Sequence, residues 1–65
     1  MNELISYMGK TIRVACTDGT TVFGLCDEYQ EEYPGECEES ITISSEGKLI
    51  EITRSEIKAI EIIEA

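Results

Sequence analysis

The chain has no histidine, one proline and only five basic residues against fourteen acids, and no apolar run approaches membrane-spanning length. Each shortage removes a class of function. Without histidine there is no imidazole for a zinc site or for acid–base chemistry at neutral pH. No nucleophile–base pairing and no phosphate-cradling loop can be read either. No enzyme is therefore expected, no catalytic residue is assigned, and no metal or cofactor is implied. A formal net charge of −9 repels phosphate backbones at long range, and the basic footprint of most nucleic-acid binders is missing. The apolar stretches fall well short of the ~20 residues of a spanning helix, so no membrane role is expected.

Cysteine is scarce as well. Cys16, Cys26 and Cys37 are an odd set, so any disulfide leaves one over, and their spacings of ten and eleven residues do not resemble a structural zinc site. Residues 1–10 show neither a basic start nor an apolar core of the signal-peptide kind, so a reduced, cytoplasmic setting is expected. Cys16 and Cys26 fall at strand positions and read as small core residues. Cys37 lies in a polar loop and is the candidate reactive thiol, although no base near it in sequence would stabilise a thiolate.

What the chain does contain is strand pattern. Residues 12–26 read IRVACTDGTTVFGLC, with Ile12, Val14 and Cys16 alternating ahead of Asp18-Gly19. Period two marks a strand with one buried face, and Asp-Gly between two such runs marks a hairpin, because glycine accepts the positive φ of the turn. The first strand is expected at 10–17 and a long second strand at 20–29, with Gly24 marking a bend or a close approach. The hairpin register stays open. A two-residue loop sets Phe23 and Leu25 beside Ile12 and Val14. A three-residue loop sets Val22, Gly24 and Cys26 there and leaves Phe23 and Leu25 as an apolar patch on the other face.

Three more strands are expected: Ser40–Ser45, Lys48–Thr53 after a Glu46-Gly47 turn, and 57–63 after a corner at Arg54–Glu56. Ahead of them, 2–9 reads as a short helix. Asn2 is its cap, Glu3 lies in its first turn, Gly9 ends it, and Leu4, Ile5 and Met8 share one face. The expected fold is a mainly β single domain over 1–65: a short N-terminal helix and a five-stranded, highly bent antiparallel small barrel of the SH3 or OB type. A chain of this size buries only ~60% of its extended surface, so association with further copies is the favoured way to bury more.

The segment 27–39, DEYQEEYPGECEE, holds seven acids and no base, with a Pro34-Gly35 turn in its middle. It reads first as a solvated hairpin tip. A docking surface for a basic partner and a loose cation site are further readings, although its carboxylates do not follow the calcium-loop spacing. A catalytic carboxylate pair would need a pocket and opposed environments that the sequence does not supply.

The first run, with Ile12, Val14, Cys16, Asp18, Gly19, Gly24 and Cys26 followed by Tyr29, resembles the first motif of the Sm/LSm family, which includes bacterial Hfq. Ile50, Ile52, Arg54, Ser55, Ile57 and Ile60 resemble the second. The resemblance covers nearly the whole chain and implies a bent five-stranded barrel. It also implies a homo-oligomeric ring of about five to seven subunits, closed by pairing of the fourth strand with a neighbour's fifth. Leu49, Ile50, Ile52, Ile57, Ile60 and Ile62 would then form the subunit interface. Family members bind single-stranded RNA at loop residues, which points here to Arg54, Ser55, Tyr29 and Ser40. The chain departs from the family at Gln30 and Ser40, where Asp and Asn are usual, and it lacks the aromatic–basic–histidine signature of Hfq, since Thr53, Arg54 and Ser55 stand there.

Two functions follow. One is an Sm-like RNA-binding ring in RNA metabolism, using Arg54 as its surviving positive charge and a tyrosine to stack a base. The other is an Sm-like module for protein contacts, in which Glu31, Glu32, Glu38 and Glu39 meet a basic protein and Phe23 and Leu25 add an apolar anchor. In either, Arg54 can instead be a corner residue paired with Glu56 or another acid. A monomeric SH3-like or Tudor-like barrel is the third possibility.

Overall fold

The computed structural model describes residues 4–64. Five strands, β1 (Thr11–Cys16), β2 (Thr21–Gln30), β3 (Ser40–Ser45), β4 (Lys48–Thr53) and β5 (Ile57–Glu64), form one antiparallel sheet in the order β4-β3-β2-β1-β5. Strand content and boundaries follow the period-two pattern to within a residue or so at each end.

The β1–β2 hairpin takes the three-residue loop. Ile12 lies opposite Gly24 and Val14 opposite Val22. The Cys16 N–H donates to the Thr20 carbonyl (2.8 Å) and the Gly19 N–H to the Cys16 carbonyl (3.0 Å), with Gly19 at φ +93°. This is the turn-plus-left-handed-glycine geometry of three-residue loops. Phe23 and Leu25 consequently face outward, 50% and 42% exposed. The β3–β4 hairpin turns on two residues, Glu46 and Gly47, both at positive φ, as a tight hairpin turn requires.

Two features of β2 shape the sheet. A Cβ on Gly24 would lie 2.2 Å from the Ser44 carbonyl oxygen and 2.9 Å from the Ile43 side chain, so only glycine lets β3 come this close. Three residues on, the β2–β3 register shifts between Cys26 and Glu28. Strict alternation from Cys26 would turn Glu28 inward. The bulge at Asp27 turns Tyr29 inward instead, opposite the fully buried Ile41.

The sheet is strongly curled. Five flat strands ~4.8 Å apart would set β4 and β5 ~19 Å from each other. The link from Thr53 to Ile57 is a 3₁₀ turn at Arg54–Glu56, and four Cα steps span at most ~14 Å even fully extended. The curled sheet wraps a core of Leu4, Tyr7, Ile12, Val14, Val22, Cys26, Ile41, Ile43 and Ile52.

Two expectations are corrected. The sheet is not closed into a barrel: among the described residues β4 and β5 are its two ends, because β5 takes the outer edge of β1 and nothing pairs with the outer edge of β4. The 2–9 helix is a single 3₁₀ turn at Leu4–Tyr7; its proposed cap Asn2 and Glu3 lie outside the described residues. At three residues per turn, positions i and i+3 share a face. Leu4 and Tyr7 are therefore buried, while Ile5 and Met8 are 51% and 41% exposed.

Gly24→Ala is expected to overpack the β2–β3 contact, at a cost of about 1–3 kcal/mol, which for a domain of this size lowers Tm by about 5–20 °C. Thermal unfolding followed by circular dichroism measures it, and an unchanged Tm would contradict the close approach.

Candidate functional site

The corner where β4 meets β5 also receives the ends of β2 and β3. Beyond Gln30 and before Ser40 the chain leaves the ladder, apart from one bridge between Tyr33 and Cys37. The tip turns at Pro34-Gly35, with the Glu36 N–H donating to the Tyr33 carbonyl (2.8 Å) and Gly35 at φ +84°. The returning segment then lies against the Arg54–Glu56 turn: the Arg54 N–H donates to the Glu39 carbonyl at 2.8 Å. This backbone contact sets the side chains of Glu38 and Glu39 at the corner.

All four residues singled out for RNA contact donate to a carboxylate. The Arg54 guanidinium reaches Glu39 Oε1 at 2.5 Å. The Tyr29 hydroxyl donates to the other oxygen, Glu39 Oε2. Ser55 is held by Glu38, through its N–H to Oε1 (2.6 Å) and its hydroxyl to Oε2 (2.9 Å). Ser40, only 3% exposed, donates its hydroxyl to Glu51 Oε2 at 2.9 Å, diagonally across the β3–β4 pair. Tyr29, Arg54 and Ser55 are thus joined through adjacent glutamates, and Ser40 stands beside them with its own. Glu39 keeps 14% of its side chain exposed against 42% for Arg54, so this ion pair is less screened than a fully solvated one.

Glu56, the partner suggested for Arg54 by sequence, does something else. Its Oε1 accepts the Thr53 N–H (3.0 Å) and the Thr53 hydroxyl (2.9 Å), tying down the start of the turn. These two bonds, the backbone one foremost, hold its carboxyl below the usual range. Asp18 is likewise lowered, first by the Thr20 N–H (2.9 Å) and then by the Thr20 hydroxyl, which fixes the β1–β2 turn. Burial pushes the Cys16 thiol up, with Asp18 and Glu56 adding to it. Burial, then Asp27, does the same to Cys26. Cys37 is exposed and accepts a weak contact from the Gln30 amide at 3.4 Å.

The other candidate residues fall in three places. Glu31 and Glu32 are exposed on the outgoing limb of the hairpin, between the Gln30–Ser40 and Tyr33–Cys37 pairings and so across it from Glu38 and Glu39. Phe23 and Leu25 lie on the outer face of β2, in register with Arg13 and Thr11 of β1. Of the residues assigned to a subunit interface, Leu49 and Ile62 are 66% and 47% exposed, Ile50, Ile57 and Ile60 pack half-buried against the core, and Ile52 is a core residue at 3%.

Sequence reasoning missed the pairing of Glu38, Glu39 and Glu51 with these donors. A signal for one part was present: the three-residue step from Cys26 to Tyr29 breaks period two and marks the bulge that turns Tyr29 inward. Among the described residues no helix is long and apolar enough to cross a membrane. No family model, curated protein or solved structure matches the chain.

Asp18 and Glu56 both have carboxyls lowered in the fold. Their contribution is therefore complete above the ordinary carboxylate range and is lost as pH falls through the lowered folded values. The Tm advantage of the unaltered chain over the Asp18→Asn/Glu56→Gln variant is expected to be largest near neutral pH and to shrink below about pH 4. A constant difference across a pH series of thermal melts would contradict these assignments.

Proposed function

We propose that the protein is an Sm-like domain, its curled five-stranded sheet left open at β4 and β5, that self-assembles through those edge strands and acts as an acidic protein-interaction module. The observation that carries this reading is the corner itself. Arg54 is ion-paired to Glu39, and Ser55, Tyr29 and Ser40 donate to Glu38, Glu39 and Glu51. A phosphodiester arriving there must displace carboxylates that already satisfy these donors, against the field of a chain of net charge −9.

The strand order supports the scaffold. With β4 and β5 at opposite ends of a curled sheet, each edge can accept the complementary strand of a neighbour, and repetition of that heterologous contact closes a ring. Exposed Leu49 and Ile62 beside these edges support the same assembly, since apolar free edges otherwise invite uncontrolled pairing. Three free thiols fit a reducing, cytoplasmic setting.

RNA binding is the second reading, favoured by the convergence of Arg54, Ser55 and Tyr29 on one corner. The two readings separate cleanly. The expected outcome is a solution mass, by light scattering, that is a multiple of the chain mass, with no binding of U-rich or A-rich oligoribonucleotides at low salt. Salt-sensitive oligonucleotide binding by the unaltered chain would overturn the protein-contact reading, and a monomeric mass would overturn the assembly.

A further inference from the structure

We infer that the groove between the N-terminal 3₁₀ turn and the distal half of β2 is the docking site for a basic peptide segment with apolar anchors, presented by a partner protein. This rests on the protein-interaction reading and adds to it the surface and the chemistry of the partner.

The groove encloses about 660 Å³, and Ile5, Met8 and Tyr33 line it together with Asp27, Glu28 and Glu31. Its volume suits a few side chains of a ligand rather than a broad flat face. Three local causes build it. The three-residue period of the turn commits Leu4 and Tyr7 to the core and leaves Ile5 and Met8 outside. The β2 bulge gives Asp27 and Glu28 consecutive outward positions. The Tyr33–Cys37 bridge fixes the hairpin tip with Tyr33 half exposed. Apolar and aromatic surface is thus concentrated at one place and rimmed by acids.

Charge selects the occupant. The lining includes three acids and no base. Among the described residues, the ion pairs are Arg13–Glu61 and Arg54–Glu39, so the groove carboxylates are not ion-paired, unlike Glu39. A second copy of this chain would bring acid against acid, and a nucleic acid would bring phosphate against acid. A lysine- or arginine-bearing segment complements the rim. The apolar stems of its basic residues and any leucine-like anchor cover Ile5 and Met8, and a guanidinium or ammonium can sit over the Tyr33 ring.

The test uses the full-length isotope-labelled chain and three synthetic peptides: alternating lysine–leucine, oligolysine of equal charge, and alternating glutamate–leucine. The lysine–leucine peptide is expected to bind with NMR shift changes centred on residues 5–8 and 27–33. Oligolysine is expected to bind at least ten-fold more weakly, and the glutamate peptide not at all. Met8→Ser and Tyr33→Ala, both surface changes, are expected to weaken lysine–leucine binding at least ten-fold while leaving the amide spectrum of the core unchanged. Equal binding of oligolysine, shifts spread over all acidic surface, shifts centred on Phe23 and Leu25, or no binding by any peptide would overturn this assignment. Those outcomes are distinct from the ones that overturn the broader reading, namely RNA binding by the unaltered chain for the protein-contact role and a monomeric mass for the assembly.

Discussion

The structure depends on the close approach of β3 to β2 at Gly24. A ten-residue strand serves two partners, β1 along its first half and β3 along its second, and the chain can do this only by bending between them. The missing side chain at Gly24 lets the Ser44 carbonyl approach to a distance that a Cβ would forbid. From that bend follow the curl of the sheet, the nearness of β4 and β5, and the short Arg54–Glu56 link between them. The bulge at Asp27 then resets the alternation, so that the chain enters its acidic hairpin with Tyr29 inward and Asp27 and Glu28 outward.

The acidic hairpin is divided into two parts with different tasks. Its returning limb is structural: Glu38 and Glu39 fasten the β4–β5 corner through Ser55, Arg54 and Tyr29. Its outgoing limb, with the tip, leaves carboxylates beside exposed Ile5, Met8 and Tyr33. One charge run thus neutralises Arg54 at the corner and presents net negative charge at the groove. This division favours protein contacts over nucleic-acid contacts on the proposed Sm-like scaffold.

The strands were legible in the sequence because Ile12, Val14, Ile41, Ile43 and Ile52 obey period two and Asp18-Gly19 and Glu46-Gly47 carry turn chemistry. The hairpin register was not, because two- and three-residue loops give equally regular alternation and differ only in which apolar set is left outside. Leu4, Ile5 and Met8 suggested an α-helical face, but a four-residue 3₁₀ turn buries Leu4 and Tyr7 instead. The residues of the corner were legible one by one. The Glu39–Arg54 and Glu38–Ser55 pairs continue the β3–β4 register, in which Ser40 lies opposite Thr53, and so were implicit in the two-residue Glu46-Gly47 turn. The Tyr29–Glu39 bond was not, because it depends on the bulge at Asp27 that turns Tyr29 inward.

The central claim is that Arg54 is committed to Glu39 and is not a free cation awaiting phosphate. A double-mutant cycle between Arg54→Gln and Glu39→Gln, read by urea unfolding at one fixed protein concentration, tests it most directly. The account predicts a favourable coupling of about 0.5–1 kcal/mol, the range of a partly screened ion pair. Additive effects of the two substitutions, with no coupling, would contradict it.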